Sequence, residues 1–381
     1  MSLSWTAVSA RRLDRNHLAA TPGTDPASIA TAMSGVHAQI LTAGELSIGL
    51  RLPGSTNASV RSAIWDDRTL VKSHGPRGTV HLLPTADIPL WTGALSAVPT
   101  GRQLQGPDSR LTPGQTDEVV AAVGRVLADD ALTIDELDTA VVAETGPWAG
   151  DLVMPAFQTM WPRWRQALST AGHRGALCFG PNRGRKVTYT NPHRWLPGFT
   201  PMNGDDALAE LVFRYLHAYG PATPQHFARW MAGPVGWANT LFARLTERLE
   251  AVELDGEKMW VNAGDTDFPD TAPEGVRLLP YFDGYGIACQ PRERLFAGKA
   301  FERALARGQA GNYPLLLVDG TVTGVWHQRR SGRKTAITVE TLTPLSNRQR
   351  GELEARAERI GEFHGGPATL ELGPVTVGAH A

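Results

Sequence analysis

Thr69-Leu-Val-Lys-Ser-His-Gly-Pro-Arg-Gly-Thr-Val-His-Leu-Leu83 is the stretch whose reading decides the fold. Residues 69–73 and 79–83 are rich in strand-forming types, and His74-Gly-Pro-Arg-Gly78 between them is turn chemistry, so the stretch reads as strand, turn, strand. A helix from about Ala58 to Trp65 precedes it, and two helix starts lie further back. Thr24-Asp25-Pro26 supplies an N-cap and a proline at the first helical position, for a helix that Ser34-Gly35 ends near Met33. Thr42-Ala-Gly-Glu45 has capping-box spacing and opens a second helix. Between these two helices, Val36 to Leu41 reads as a short extended link that carries His37-Ala38-Gln39. Helices followed by a small hairpin make a winged helix.

The same order recurs over residues 113–193. A helix is followed by a capping-box helix from Thr133 to Glu144, a long helix from Pro155 to Thr170, and a hairpin around Gly180-Pro-Asn-Arg-Gly-Arg185. It recurs again over 205–262, with Asp255-Gly256 as the hairpin turn. Further on, segments 277–281, 313–318, 321–327 and 335–341 read as strands of a small barrel-like sheet, followed by a helix from Arg348 to Phe363. The expectation is an α+β chain of three tandem winged-helix units and a small C-terminal β-barrel-like domain. The first unit, with its link, takes residues 1–105, the second 106–200, the third 201–265 and the C-terminal domain 266–381.

Of the 381 residues, 42% are hydrophobic and 20% charged, the composition of a globular chain. No window reaches 18 uncharged apolar residues and the N-terminus lacks signal-peptide order, which predicts a cytoplasmic protein. Cys178 and Cys289 lie far apart with no ligand cluster around them and read as buried packing residues. No histidine pair has metal-ligand spacing and no phosphate-loop motif occurs, so neither metal nor nucleotide cofactor is expected. The net charge is -1, yet residues 117–151 hold nine acids against Arg125 alone, and residues 160–195 hold seven bases and no acid. Such segregation predicts one face repelled by phosphate and one attracted to it.

Three stretches resemble the AlkZ-like DNA glycosylases. They are Gly35-Val-His-Ala-Gln-Ile-Leu-Thr-Ala-Gly-Glu-Leu-Ser-Ile-Gly-Leu-Arg51, then Trp65 to Lys72 leading into Arg77-Gly-Thr-Val-His-Leu-Leu-Pro84, and Leu278-Leu-Pro-Tyr-Phe-Asp-Gly-Tyr285 with Gly324-Val-Trp326. The resemblance implies a C-shaped array of three winged helices plus a barrel. It also implies monofunctional excision of N7-alkylguanine or unhooking of interstrand crosslinks. The catalytic motif of the family is Gln-x-Gln or Gln-x-Asp; with His37 first and Gln39 second, this chain resembles a His-x-Gln branch that accompanies producers of bulky DNA-alkylating antibiotics.

The chemistry of that pair is simple. Alkylation at N7 makes guanine a good, neutral leaving group, so the reaction needs a water held at C1′ and dipoles beside an oxocarbenium-like centre rather than a strong acid. Residues two apart on an extended link point the same way, so His37 and Gln39 are expected to converge while Ala38 packs behind. Gln39 positions the water, and His37 either accepts its proton or helps hold it. The five lysines are scattered and none is in the link, which predicts free base and an intact abasic strand rather than lyase chemistry.

The expected partner is duplex DNA carrying an alkylated purine, met by a monomer. Lys72, Arg77 and Thr79 in the first hairpin, Arg183, Arg185 and Lys186 in the second, and Gln328, Arg329, Arg330, Arg333 and Lys334 at the C-terminal hairpin tip are the DNA-binding candidates. Trp161 and Trp164 read as core. Two other readings stay open: a glycosylase of general alkylation and crosslink repair, and a non-enzymatic winged-helix regulator.

Overall fold

Asp25 accepts from the Ser28 amide at 2.9 Å and starts the helix Pro26–Ala32 where the sequence places it. The computed structural model describes residues 1–19, 23–99, 106, 109–156 and 159–380. The chain is α+β, and among the described residues no helix is long and apolar enough to cross a membrane. In the first unit Asn57–Trp65 is capped by Thr56, and the strands Leu70–His74 and Val80–Pro84 form the expected hairpin. Two details differ. The helix Leu41–Gly49 begins at Ile40 with no side-chain cap, because the Glu45 carboxylate is buried and bonds Arg61 Nε at 2.8 Å and Asn57 Nδ2 at 2.6 Å instead of capping. The link is itself a strand, Val36–His37, which pairs with Leu82 and His81 and makes the hairpin a three-stranded sheet. Its backbone groups thus find partners inside the protein rather than in water.

The second unit corrects the sequence reading. No helix runs from Pro155 to Thr170: Leu152–Ala156 and Thr159–Pro162 form a hairpin, followed by a 3₁₀ turn Arg163–Ala167 and the short helix Leu168–His173. Residues 157 and 158 of the expected helix lie outside the described residues. Pro162 explains the failure, since a proline in a helix interior loses a hydrogen bond and clashes with the preceding turn, at about 3 kcal/mol or more. Trp164 is fully buried as expected, but Trp161 is 43% exposed. The segregated charges do not make two faces either. Arg163 pairs with Asp151, Arg165 with Asp138, Arg174 with Asp117, Arg183 with Glu136 and Lys186 with Asp135, so much of the basic run pairs with the acidic one, while Arg125 pairs with Glu144 inside the acidic run.

In the third unit the helices Gly204–Tyr219, Pro224–Met231 and Val235–Arg244 precede the hairpin Leu249–Leu254 and Glu257–Asn262, turning at Asp255 (φ 54°) and Gly256 (φ 80°). Ser2–Leu3 adds to this sheet in parallel, so the first residues pack on the third unit rather than on their own. Arg11 and Arg15 fix that arrangement through Asp265.

The C-terminal sheet holds five strands in sequence order, Val276–Leu279, Leu315–Val318, Thr321–Ser331, Lys334–Thr341 and Ala368–Leu372. Its first and last strands do not pair, so the sheet is open and not a closed barrel. The helix Asn347–Phe363, capped by Ser346, covers one face. The largest apolar cluster joins Tyr215, Tyr219 and Phe227 of the third unit to Trp91 of the first and to Tyr285 and Phe296 near the C-terminal sheet. That shared core closes the segments around one cleft. The expected boundary at residue 105 lies outside the described residues.

Candidate active site

Where the first hairpin, the helix Pro224–Met231 and the segment 282–312 meet, they enclose a cleft of about 440 Å³. His37 lines it from the link strand, Arg77 and Thr79 from the hairpin turn, Arg229 and Trp230 from the helix, and Phe282 and Arg292 from the far segment. The elements come close because small residues allow it. A Cβ on Gly44 would stand 2.9 Å from the His37 carbonyl oxygen, so only glycine lets the helix Leu41–Gly49 pass behind the link.

The imidazole of His37 is 7% exposed and stacked on Phe282, with centroids 4.7 Å apart and planes 24° apart. His81, its partner across the strands, meets it edge-on at 5.0 Å. His81 Nδ1 donates to the Thr79 carbonyl at 2.9 Å, which leaves its Nε2 unprotonated in the neutral ring. Burial, and then the charge of Arg77, push the His37 pKa down to about 4. His37 is therefore neutral near pH 7, and a neutral imidazole keeps one nitrogen able to accept a proton or hydrogen bond from water. Its Nδ1 is buried without a partner, so Nε2 is the nitrogen left to serve the cleft.

Two non-glycine residues in the lining hold left-handed backbones, Arg77 at φ 61° and Phe282 at φ 57°. Such conformations cost of order 1 kcal/mol or more each and persist where surroundings dictate them. At Phe282 the surroundings are explicit. Asp283 is buried, accepts from the Ser47 hydroxyl at 2.5 Å and from Arg51 through both oxygens at 2.8 Å, and caps Tyr285 at 3.0 Å. At Arg77 the turn leans on the third unit, and its guanidinium donates to the Trp230 carbonyl at 3.4 Å.

The expected site residues divide by position. His37, Arg77 and Thr79 come together in the cleft. Gln39 is not among the residues that line it: the chain bends after buried Ala38 and Gln39 is exposed. Lys72 is 8% exposed with its ammonium 4.8 Å from the Phe179 ring centre, a buried position that no phosphate reaches without rearrangement. Arg183 and Lys186 are exposed but already paired with Glu136 and Asp135, while Arg185 forms no ion pair among the described residues. At the C-terminal tip Arg329, Arg330, Arg333 and Lys334 are all exposed; Gln328 lies behind them, 3.2 Å from His364 Nε2, and Arg333 donates to the Gly365 carbonyl. Sequence reasoning missed Phe282, Arg229 and Arg292. Phe282 stood inside a quoted motif, but nothing local marked the two arginines. Both cysteines are buried and free as expected.

Comparison with known proteins agrees along nearly the full chain. The family model described as DNA glycosylase AlkZ-like matches residues 30–363. A protein of Streptomyces sahachiroi described as an interstrand DNA cross-link repair glycosylase is 32% identical over 345 residues, covering 86% of this chain and 88% of that protein. The solved structure of the Streptomyces sahachiroi DNA glycosylase AlkZ superposes with a TM-score of 0.79 at 27% identity, covering 97% of this chain and 100% of that one.

Proposed function

Since this chain belongs to the AlkZ-like DNA glycosylase family and is a DNA glycosylase, we propose that it hydrolyses the N-glycosidic bond of bulky N7-alkylated guanine in duplex DNA, including guanines joined in interstrand crosslinks. The observation that carries this reading is His37, held neutral on Phe282 in a cleft whose lining, among the described residues, contains no carboxylate and no lysine side chain. Without a lysine there is no amine for a Schiff base, so the reaction is monofunctional and leaves an abasic strand. Without a carboxylate, water is oriented by a neutral imidazole, which suffices when the leaving base is already cationic.

His37 Nε2 accepts a hydrogen bond from the water that attacks C1′. With a pKa of about 4 in the free protein, its main contribution is to hold that water rather than to deprotonate it fully before attack. Gln39, exposed beyond the cleft, takes its place against the lesion when the duplex docks, and its amide oxygen faces the developing positive charge. The three helix-and-hairpin units act as winged helices on the duplex, and Arg329, Arg330, Arg333 and Lys334 hold its backbone. The protein works in the cytoplasm as a monomer, and His37 at the first motif position supports a part in self-resistance to a DNA-alkylating natural product.

The test incubates the protein with a duplex bearing one bulky N7-alkylguanine and with one bearing a guanine–guanine crosslink, then resolves the strands after hot alkali. Alkali-labile sites and free modified base are expected from both. A protein that leaves both adducts intact while binding duplex DNA would overturn N7-alkylguanine as its lesion.

A further inference from the structure

We propose that Arg77, Arg229 and Arg292 form a subsite for a single phosphodiester of the DNA strand beside His37, assembled from three distant parts of the chain. The proposal rests on the reading of the cleft as a DNA site and names which part of the substrate occupies it.

Among the described residues the cleft lining carries these three guanidiniums and no aspartate or glutamate. Many arginines elsewhere stand against carboxylates, as Arg51 against Asp283, Arg303 against Glu340 and Arg294 against Asp255. Among the described residues, none of the three cleft arginines forms an ion pair. Each is aimed by a neutral oxygen instead: Arg77 donates to the Trp230 carbonyl at 3.4 Å, Arg229 to Gln290 Oε1 at 3.4 Å, and Arg292 to the Gly308 carbonyl. A guanidinium has five N–H donors, so each keeps several for a ligand. Arg292 Nε is buried with no partner at all.

The cations are also uncomfortable together. Burial lowers the pKa of Arg77 and of Arg292; Arg292 lowers Arg77 further, and Arg229 lowers Arg292. Only Glu293, beside Arg292 in sequence and outside the lining, and the tyrosines Tyr219 and Tyr215 oppose this. A converging set of oriented, unneutralised forks matches a group with one negative charge shared by two oxygens, which is a phosphodiester. Occupancy has a consequence for His37. Arg77 is the charge that holds His37 down after burial, so an anion on Arg77 makes His37 a better proton acceptor only when DNA is in place.

The experiment measures binding by fluorescence anisotropy, not turnover. The probe is an undamaged duplex and a set of the same duplexes with one neutral methylphosphonate at successive positions. Wild-type protein is expected to lose about tenfold in affinity at one position, the charge-deleted phosphate. Arg229→Gln and Arg292→Gln, alone and together, are expected to lose a similar factor on the all-phosphate duplex and to lose nothing further at that position. The slope of log affinity against log salt should fall by about 0.9 for one lost phosphate contact. Arg229 is exposed, so its variant folds and carries the test even if Arg292→Gln is unstable. Arg294→Gln, whose partner Asp255 lies outside the cleft, is the control. Variants that bind like wild type, or methylphosphonate losses that simply add to the variant losses at every position, overturn the subsite. Base release is scored separately, so a failed glycosylase reading would show as intact adducts with the binding pattern unchanged.

Discussion

Arg51 and Asp283 face each other fully buried, joined by two hydrogen bonds of 2.8 Å, with side chains 0% and 1% exposed. Arg51 closes the first quoted motif and Asp283 lies 232 residues later, next to Phe282. The pair ties the helix behind His37 to the segment that floors it. Removing one partner leaves a buried charge unpaired, typically at about 3–5 kcal/mol. Asp283→Asn is expected to lose stability of that order in urea unfolding and to slow base release where it still folds. Arg51→Met with Asp283→Leu should recover stability better than activity; full recovery of both would show that the pair does not place Phe282.

His37→Ala is expected to slow base release by about a hundredfold, equal to about 2.7 kcal/mol of barrier. Gln39→Ala should slow it on duplex substrates while leaving the thermal midpoint nearly unchanged, because Gln39 is exposed. Single-turnover release of modified base measures both. A His37→Ala protein with wild-type rate would remove the histidine from the chemistry.

Acid should act on rate and stability with the same sign. His37 is needed neutral and titrates at about 4 in the free protein, so kcat/KM is expected to be flat near neutrality and to fall as pH drops towards 4. His74 and His173 are likewise held at about 4, chiefly by burial. Each has a folded value below its unfolded value of about 6.5, so the unfolded chain binds protons first. Their contribution to stability is complete above about pH 6.5 and is lost as pH falls through the window to about 4. Urea midpoints at pH 7.5, 6 and 5 should decrease in that order. A protein that grew more stable on acidification would contradict the buried neutral histidines.

The two basic hairpins should behave differently on DNA. Arg183 and Lys186 must leave Glu136 and Asp135 to reach a phosphate, whereas Arg329 and Arg330 are exposed with no ion pair among the described residues. Paired replacement Arg329→Ala with Arg330→Ala is expected to weaken binding several-fold and to reduce the salt slope by roughly 0.9 per lost phosphate. The pair Arg183→Ala with Lys186→Ala should change it little. Equal losses would mean that the ion pairs of the second hairpin open freely.

Much of the local structure was legible because it is written in contacts a few residues apart. Asp25-Pro26 capped its helix, Asp255-Gly256 turned its hairpin, and the strands around His74-Gly-Pro-Arg-Gly78 paired as read. The helix expected from Pro155 failed where the local signal was weighed wrongly, since Pro162 already forbade it. Glu45 failed differently: its spacing fitted a cap, but its buried carboxylate is held by Arg61 and Asn57 instead.

By itself the sequence determined the α+β class, the family and the place of His37-Ala38-Gln39, since each depends on residue identity over short spans. Only the tertiary structure decided which charges are free. Arg183 and Lys186 looked available and are neutralised by acids about 50 residues away, while Arg229 and Arg292 carried no local signal and stand in the cleft with no ion pair among the described residues. It also put His37 on Phe282 and left Gln39 outside. The reason is physical: whether a cation can hold a ligand depends on whether a carboxylate sits within about 4 Å of it, and that distance is set by the path of the whole chain.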